Sequence, residues 1–471
     1  MPLRPASASD LLIDGKQVAG SGGTFDIVNP ATEEIVGQAA DATAEDMSAA
    51  IAAARNAFDT TDWSRDHALR ARCLRQLRDA LLAHADEFRE ITVAEVGCPV
   101  FLTHGPQLEG PITDLGYFAD LAETYEWTRD LGEAKPMGLK NRRELRAEAA
   151  GVVGAITPWN FPHQINFAKI GPALAAGCTV VLKPAPDTPW CAALVGKVIA
   201  EETDFPPGVI NIVTSSDHAL GAQLATDPRV DIVSFTGSTA TGKKVMAAAS
   251  ESLKKVFLEL GGKSAFIVLD DADLASACSM AAFAVVTHAG QGCAITTRLL
   301  VPRSKLDEAI AITRDSLAGL AAGDPTDSGT ICGPVISAAQ RQRVESYIEL
   351  ARSEGGTIEI GGGRPVGRDK GFFVEPTLIS GLDNTSRVAQ EEIFGPVLVI
   401  IPHDGDDDAI RIANDSPYGL SGQVWGTDED RINKVVNGVR TGTMAINGGI
   451  WYSADVPFSA ATSSPASAAR W

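Results

Sequence analysis

The chain has no excess of basic residues. Its 471 residues include 40 Lys and Arg against 60 Asp and Glu, which gives a formal net charge of −20 at pH 7. A surface that binds nucleic-acid phosphates or an anionic membrane needs positive charge over the contact region. The overall charge therefore argues against both partners, while a single groove can still be locally basic.

Long apolar runs and clustered metal ligands are also missing. No stretch reaches the ~18 apolar residues of a membrane-spanning helix, and the opening MPLRPASASDLLIDG has no apolar run typical of a signal peptide. The seven cysteines are scattered without a CxxC pair, and the seven histidines form no HExxH motif. We therefore predict no disulfide framework, no metal site, and a reducing, cytoplasmic location.

The chain is too long for one compact core, because cores stop growing near about 250 to 300 residues. Residues 41–96 predict helices, and the segment TAEDMSAAIAAARNAF begins with a threonine that can cap one. From 149 to 260, short apolar runs alternate with helical stretches, and a second such series begins at SAFIVLDDADL. This pattern predicts two α/β units with parallel sheets, joined near 260–263. The polar residues 125–148 interrupt the first unit and predict an exposed hairpin or arm.

No GxGxxG fingerprint is present, so a dinucleotide site has to be sought elsewhere. In VDIVSFTGSTATGKK a strand ends at Phe235, and Gly237 and Ser238 precede a helix whose N-terminus could hold a phosphate. The alternative is an ordinary strand-to-helix turn with a good cap. Lys183 follows the strand in TVVLKP, at the carboxyl edge where ligands bind parallel sheets. It could equally be an exposed lysine before a proline-rich turn.

Three residues could carry chemistry. Cys293 in AGQGCAITTR follows two nearby glycines that leave room for a substrate carbon, but a lone cysteine is more often a small buried residue. Glu259 in FLELGGKS ends an apolar strand, where an acid is costly unless it is used or ion-paired. Asn160 in ITPWNFP could donate to an oxyanion, or could simply shape a turn.

Several segments together resemble the aldehyde dehydrogenase superfamily. They are TPWNFP, LKPAPDTP, FTGSTATG, LELGGKS, GQGC followed by Arg298, and EEIFGPV, in the family's order and spacing. The resemblance implies a Rossmann-like cofactor-binding domain (1–124 and 149–260), an oligomerisation arm (125–148) and an α/β catalytic domain (261–458). It also implies a homo-oligomer, a dimer or a tetramer, that acts on a small-molecule aldehyde.

The resemblance assigns a reaction and its catalytic residues. Cys293 attacks the aldehyde carbon, while the Asn160 amide and the Cys293 backbone N–H hold the oxyanion. Hydride passes to NAD or NADP and leaves a thioester, and Glu259 activates the water that releases the carboxylic acid. The presence of Glu259 argues against relatives that form acyl-coenzyme A, which commonly lack this glutamate.

The cofactor side of the resemblance predicts NAD, with NADP possible. The residues expected to bind the cofactor are Ile156, Thr157, Trp159, Lys183, Gly221, Gly237, Ser238, Leu260, Glu392 and Phe394. Pro186 departs from the family, because many NAD-preferring members carry a glutamate there that binds the adenosine ribose. Its loss also removes repulsion of a 2′-phosphate, so we expect weaker discrimination against NADP.

The expected substrate pocket has an apolar entrance that suits medium or long aliphatic aldehydes. By family position, its lining residues are Phe161, His163, Phe167, His288, Ala294, Trp451 and Phe458. The wording of several motifs resembles a bacterial branch linked with oxo-fatty-acid and alicyclic degradation.

The C-terminal residues do not follow the family. After Phe458 the family continues with a segment like GGYKQSGIGRE, but residues 459–471 read SAATSSPASAARW. One back-translation of this tail, read two bases out of frame, gives GGYKQSGIGREMG. We therefore hypothesise that a frameshift near codon 459 produced an aberrant tail and impairs assembly; a disordered tail is the alternative.

Other functions remain open. A coenzyme A- or phosphate-acylating member of the same fold would release an acyl thioester or acyl phosphate instead of the free acid. A catalytically impaired NAD-binding homologue would yield no NADH with any aldehyde. A cofactor-independent thiol hydrolase would leave Lys183, Gly237 and Glu392 without a common role.

Overall fold

Two seven-stranded sheets organise the protein. The structure is a computed structural model that describes residues 10–449 and 454. In this part of the chain the strands are β1 (Leu11–Ile13), β2 (Lys16–Val18), β3 (Thr24–Val28), β4 (Ile35–Ala40), β5 (Thr128–Ala134), β6 (Asn141–Arg146), β7 (Val152–Ile156), β8 (Thr179–Lys183), β9 (Ile210–Ile212), β10 (Ile232–Thr236), β11 (Lys255–Glu259), β12 (Ser264–Val268), β13 (Thr296–Pro302), β14 (Thr357–Ile360), β15 (Thr377–Ser380), β16 (Val397–His403), β17 (Ser421–Trp425) and β18 (Thr443–Ile446).

Helices cover both sheets. They are α1 (Ala44–Thr60), α2 (His67–Ala83), α3 (Ala85–Val96), α4 (Val100–Thr103), α5 (Glu109–Thr124), α6 (Pro162–Ala175), α7 (Trp190–Glu202), α8 (Ala219–Thr226), α9 (Thr239–Ser250), α10 (Leu274–Val286), α11 (Leu306–Ala318), α12 (Ala338–Ser353), α13 (Arg387–Gln390), α14 (Asp406–Asn414) and α15 (Glu429–Gly438). Short 3₁₀ turns lie at Pro136–Gly138, Thr287–Gly290 and Arg303–Lys305. None of the described helices is long and apolar enough to cross a membrane.

The first sheet has the order β11-β10-β7-β8-β9-β1-β2. Its first five strands are parallel, and β1 and β2 add an antiparallel edge. Strand β8 is buried along its whole length, as are the first four residues of β7, because helices pack on both faces. The carboxyl ends of β11, β10, β7 and β8 therefore lie side by side along one edge, where parallel sheets bind ligands.

The second sheet has the order β14-β15-β16-β13-β12-β17-β18, and only β14 runs antiparallel to its neighbour. Its strands and α10 form one continuous apolar core. The prediction of an α/β fold with two parallel sheets is confirmed. The first sheet ends at Glu259 and the second begins at Ser264, so the predicted join near 260–263 lies between them. The exact domain ranges stay a prediction.

Local chemistry explains the helical region that the sequence predicted after residue 41. Thr43 caps α1 by accepting a hydrogen bond from the Asp46 backbone N–H, and the Asp46 side chain accepts in return from Thr43. This reciprocal capping satisfies two N–H groups that the helix cannot pair internally. The residues that α1 buries include Met47, Ile51 and Ala54, at the spacing of one helical face.

The segment 125–148 forms an exposed antiparallel hairpin of β5 and β6. The predicted hairpin is therefore confirmed, while its role in oligomerisation stays a prediction. Trp451, Phe458 and the tail 459–471 lie outside the described residues, so the pocket roles expected for the first two and the frameshift hypothesis also stay predictions.

Candidate active site

Cys293 differs from the other cysteines in its exposure. All seven lie in the described part of the chain, and six are buried whereas Cys293 is partly exposed. The preceding turn holds His288, Ala289 and Gly290 at φ of 50°, 52° and 71°. Two consecutive non-glycine residues in this left-handed region cost roughly 1 to 3 kcal/mol each, and such strain is concentrated at functional sites. The strained turn carries the chain to the thiol.

The Cys293 thiol is held in its protonated form at neutral pH. Burial raises its pKa to about 12, and the nearby carboxylates of Glu392 and Glu259 add to the rise. The backbone N–H groups of Cys293 and Ala294 work in the opposite direction. A nucleophilic thiolate here therefore needs a group that accepts its proton.

Two glycines let the loop after β11 approach the thiol. A Cβ at Gly262 would lie 2.1 Å from the Cys293 carbonyl oxygen, and one at Gly261 would lie 2.4 Å from Oε2 of Glu392. The Gly262 backbone N–H also donates to Oε1 of Glu392 over 2.9 Å. Any side chain at these positions would force the loop away, so the glycine pair joins Cys293 and Glu392 in one site.

Glu259 lies at the end of β11 and is only 6% exposed. Neither of its carboxylate oxygens has a hydrogen-bond partner among the described residues. Burial raises the pKa of Glu259 well above its usual value, and the neighbouring Lys169 partly counteracts the rise. A buried carboxyl with this shift and no partner is the state expected of a general base. The sequence left open an ion-paired acid at the sheet edge. In the structure, Glu259 feels the charge of Lys169 but forms no hydrogen bond with the described residues.

Lys169 was missed by the sequence analysis. It lies on α6, is buried, and its Nζ donates to Oγ of Ser234 over 2.8 Å. Burial lowers the pKa of Lys169, and Glu259 opposes the change. The only sequence signal was a lysine within the apolar stretch INFAKIGPALA, since its approach to β11 depends on the tertiary fold.

Two glutamines hold Asn160, one through its side chain and the other through its backbone. Its Nδ2 donates to the Gln291 carbonyl oxygen over 2.8 Å, and Gln107 Nε2 donates to the Asn160 carbonyl oxygen over 2.8 Å. An amide nitrogen has two N–H groups, so the second one is available for an oxyanion. Gln291 is itself held by its side chain, which accepts from the Ile336 N–H over 2.9 Å. Neither glutamine was selected from the sequence.

The predicted cofactor residues of the first sheet meet along its carboxyl edge. Ile156 ends β7 and Thr157 directly follows it, and the Thr157 N–H donates to the Lys183 carbonyl oxygen over 3.2 Å. Gly237 follows β10 and donates to the Glu259 carbonyl oxygen over 3.0 Å. Leu260 directly follows β11. Ser238 caps α9 by accepting from the Thr241 N–H over 3.2 Å, so its hydroxyl already has a structural role.

Lys183 is not the exposed lysine that the sequence left open. It is 3% exposed, and its Nζ makes only long contacts, 3.3 Å to the Pro184 carbonyl oxygen and 3.5 Å to that of Ser215. Burial lowers its pKa to about 8, while nearby aspartates oppose the change. A Cβ at Gly221 would lie 3.8 Å from Cδ of Lys183 and 3.7 Å from Cδ1 of Ile156. Gly221, Ile156 and Lys183 therefore line one end of the edge.

The remaining predicted residues lie near the thiol. The rings of Trp159 and Phe394 meet edge to face, with their centroids 5.3 Å apart. The Phe394 backbone has a φ of 63°, so this residue, two positions after Glu392, is also in the strained left-handed region. Burial raises the pKa of Glu392.

Two of the residues expected to line the substrate pocket face the core instead. His163 and Phe167 are buried, and Nε2 of His163 contacts Oγ1 of Thr92 on α3 over 2.9 Å. One helical turn separates these two positions, so they share the buried face of α6. The residues at the start of α6 that solvent reaches are Phe161, Gln164, Ile165 and Ala168. That expectation was wrong for His163 and Phe167, because both side chains are buried in the core.

Two other expected pocket residues lie beside the catalytic segment. Both His288 and Ala294 are buried, and the His288 ring meets that of Phe161 edge to face at 5.3 Å.

Within the described ranges, no group of three or more His, Cys, Asp or Glu side chains could hold a metal ion.

The fold combines two mostly parallel sheets with a partly exposed thiol, an anchored amide and a buried carboxyl, the groups expected of an enzyme that uses a cysteine nucleophile. The aldehyde dehydrogenase family model matches residues 17–466, and the chain therefore belongs to the aldehyde dehydrogenase family. The prediction of an aldehyde-oxidising enzyme is confirmed.

Relatives and solved structures cover nearly the whole chain. Geranial dehydrogenase from Castellaniella defragrans is 41% identical over 423 residues, 90% of this chain and 87% of the relative. A Mycobacterium tuberculosis aldehyde dehydrogenase complexed with NAD+ is 42% identical, with a TM-score of 0.91 over 96% of this chain and 92% of that one. A mutant of aldehyde dehydrogenase C from Pseudomonas syringae, complexed with NAD+ and octanal, is 36% identical, with a TM-score of 0.90 over 96% and 91%.

Proposed function

We propose that this chain oxidises apolar aldehydes of medium length to carboxylic acids with NAD, through a thioester on Cys293. The observation that carries the proposal is the convergence of a partly exposed thiol, an anchored amide with a spare N–H, and a buried unpaired carboxyl. Nucleophile, oxyanion donor and general base are the three groups that thioester formation and hydrolysis require.

The residues along the sheet edge fit a dinucleotide. Thr157 Oγ1 is buried without a hydrogen-bond partner, and Lys183 has only long contacts, so both have capacity for a ligand. We propose that Ile156, Thr157, Lys183, Gly221, Gly237, Ser238 and Leu260 hold the adenosine and phosphate part, and Trp159, Glu392 and Phe394 the nicotinamide part. When bound, NAD supplies the hydride acceptor. The NAD+ in two solved neighbours supports this cofactor.

In the proposed mechanism the protein's own groups act in sequence. The Cys293 thiol loses its proton as Sγ bonds to the aldehyde carbon, and Glu259 is the adjacent carboxyl able to accept that proton. The Cys293 N–H and the second Asn160 N–H stabilise the alkoxide oxygen of the thiohemiacetal. Once the thioester has formed, Glu259 releases the first proton to solvent and is ionised again. It then removes a proton from water, whose oxygen adds to the acyl carbon, and returns that proton to the departing Cys293 sulfur. The acid is released and the Cys293 thiol is restored.

The substrate class rests on the accessible face of α6. Phe161, Ile165 and Ala168 offer apolar surface, and Gln164 is the polar exception. Apolar aldehydes also occur in the names of the relatives, geranial in one and octanal in another.

We propose a reducing, cytoplasmic location because the cysteines are all free thiols. We likewise propose that the protein forms a homo-oligomer, because the hairpin at 125–148 is exposed.

The proposed reaction is tested with octanal and NAD. Wild-type protein should form NADH and octanoic acid in equal amounts, whereas Cys293→Ser should lose at least about 10⁴-fold in kcat because oxygen at this position is a far weaker nucleophile. Cys278→Ala, at a buried cysteine of α10, is the control and should retain activity. Octanoyl-coenzyme A in place of the acid when coenzyme A is added to the same assay, or full activity of Cys293→Ser, would contradict the proposal.

A further inference from the structure

The end of the cofactor edge around Lys183 carries an unusual set of carboxylates. Asp41, Asp187 and Asp217 each favour the charged form of this buried lysine and so oppose the lowering of its pKa. They come from three separate segments: the residues after β4, those after β8, and the loop between β9 and α8. Pro186, where the sequence led us to expect weaker discrimination against NADP, lies within this group.

The loop between β9 and α8 has hydroxyl and backbone N–H donors that would suit a phosphate, but these donors already form hydrogen bonds with carboxylates. Asp41 Oδ1 accepts from Ser215 Oγ over 2.8 Å and from the Ser216 N–H over 2.9 Å. Asp41 Oδ2 accepts from Ser216 Oγ over 2.7 Å. Burial opposes ionisation of Asp41, but these hydrogen bonds outweigh it and lower its pKa. Asp41 is therefore charged at neutral pH.

Asp217 occupies the beginning of α8 in the same way. Its Oδ1 accepts from the Ala219 N–H over 2.7 Å, and its own N–H donates to Ser215 Oγ over 3.1 Å. A helix N-terminus ordinarily attracts a phosphate. Here the helix already has a carboxylate beside it, and Asp217 is exposed to solvent while its charge acts on Lys183.

The direction of the bound dinucleotide follows from the chemistry proposed above. Hydride transfer requires the nicotinamide to lie beside Cys293, at the end of the edge with Trp159 and Phe394. The adenosine then lies at the opposite end, beside Lys183 and Gly221. NAD and NADP differ there by one phosphate on the adenosine ribose.

We propose that Asp217, with Asp41 and Asp187, makes this enzyme selective for NAD by repelling the 2′-phosphate of NADP. The proposal rests on the proposed function and replaces the weaker discrimination expected from Pro186. Like charges that face each other at a binding site are a strong form of discrimination. Asp217 and Asp41 already offset the positive charge of Lys183, so this lysine offers little net attraction to a phosphate dianion. Asp187 contributes less, because burial raises its pKa.

Equilibrium binding tests the proposal without turnover. The probes are AMP and adenosine 2′,5′-bisphosphate, titrated calorimetrically into the full-length protein. Wild type should bind AMP at least about tenfold more tightly than the bisphosphate. Asp217→Asn keeps an oxygen that can accept from Ala219 but removes the charge, and should reduce this ratio about tenfold. Asp217→Asn combined with Asp187→Asn should reduce it further, and the wild-type ratio should fall as salt screens the charges.

A matched control is Asp79→Asn on α2, which removes the same charge from an aspartate whose contact is Arg78; its ratio should equal that of wild type. Kinetics add a second readout, since kcat/KM for NADP relative to NAD should rise about tenfold in Asp217→Asn. Equal wild-type affinity for both probes, or an unchanged ratio in Asp217→Asn, would overturn the selectivity proposal alone. Absence of AMP binding together with absence of NAD turnover would overturn the proposed function as well.

Discussion

Arg298 and Glu259 are two charged groups that solvent hardly reaches, at 2% and 6% exposure. Arg298 on β13 donates to four acceptors: the carbonyl oxygens of Lys263, Ile412 and Ala413, and Oδ1 of Asn384, over 2.8 to 3.0 Å. Glu259 has no hydrogen-bond partner within residues 10–449. Both belong to motifs that resemble the same family, yet the first joins separate segments of the chain and the second is the general base of the proposed mechanism.

This difference teaches how to interpret a buried charge. A charge whose hydrogen bonds are all made is stable in place, and its removal leaves several groups unpaired. A charge without partners costs free energy in the folded state, so its retention points to a function. Substitutions at the two sites should therefore separate stability from activity.

The largest effect on stability is expected for Arg298→Met. The change leaves four buried acceptors without a donor, and we expect the free energy of unfolding to fall by about 4 kcal/mol. Urea unfolding followed by circular dichroism measures the loss. Arg314→Met, at a half-exposed arginine that contacts Asp315, is the control and should change stability by less than about 0.5 kcal/mol. A loss at Arg298 no larger than that of the control would refute the structural role.

The reverse pattern is expected for Glu259→Gln. Without the base, hydrolysis of the thioester should slow about a thousandfold and limit kcat, while stability holds or increases because no carboxylate needs to be buried. Stopped-flow measurements should then detect a burst of one NADH per site before slow turnover. Glu251→Gln at the exposed end of α9 is the control. If Glu259→Gln unfolds more readily but turns over normally, the comparison with Arg298 fails.

A smaller effect is expected for Asn160→Ala. One oxyanion donor is worth about a hundredfold in kcat, and the substitution leaves the Gln107 contact intact because that contact is made to the backbone. Steady-state kinetics with octanal would detect the loss mainly in kcat. Gln107→Ala should affect the reaction less, since it removes only a support of the backbone. An unchanged kcat in Asn160→Ala would exclude this side chain as an oxyanion donor.

Much of this site could be predicted from the sequence, because its residues lie in short segments beside recognisable strand ends. Glu259 ends β11 and Asn160 follows β7, and parallel strands bring such ends to one edge. Cys293 instead precedes β13 of the second sheet, so its position was indicated by its motif. Lys169, Gln107 and Gln291 could not be found this way, because their contacts depend on how helices pack over the sheet. His163 and Phe167 were misplaced for a related reason: family position predicts the helix but not which of its faces is buried.

The smallest effect, and the sharpest test of how Glu259 is tuned, is the pH dependence of Lys169→Met. Burial raises the pKa of Glu259 above the ordinary 4.5, and charged Lys169 favours the ionised form and so limits the rise. Glu259 acts as a base only when ionised, so kcat in wild type should fall as the pH falls through this raised pKa. Removal of the lysine's charge should raise the pKa further and move the acid limb upward by about one pH unit.

Lys169→Arg keeps the charge and should restore the wild-type profile, a rescue that a purely structural role of Lys169 would not produce. The stability of the folded protein should depend on pH through the same shift in the pKa of Glu259. Because a raised pKa favours the protonated carboxyl in the folded state, the cost of burying Glu259 is absent below pH 4.5 and complete above its folded pKa. Lys169→Met should therefore lose stability, relative to Lys169→Arg, as the pH rises through neutrality. Coincident acid limbs for Lys169→Met and wild type would mean that Glu259 is tuned by burial alone.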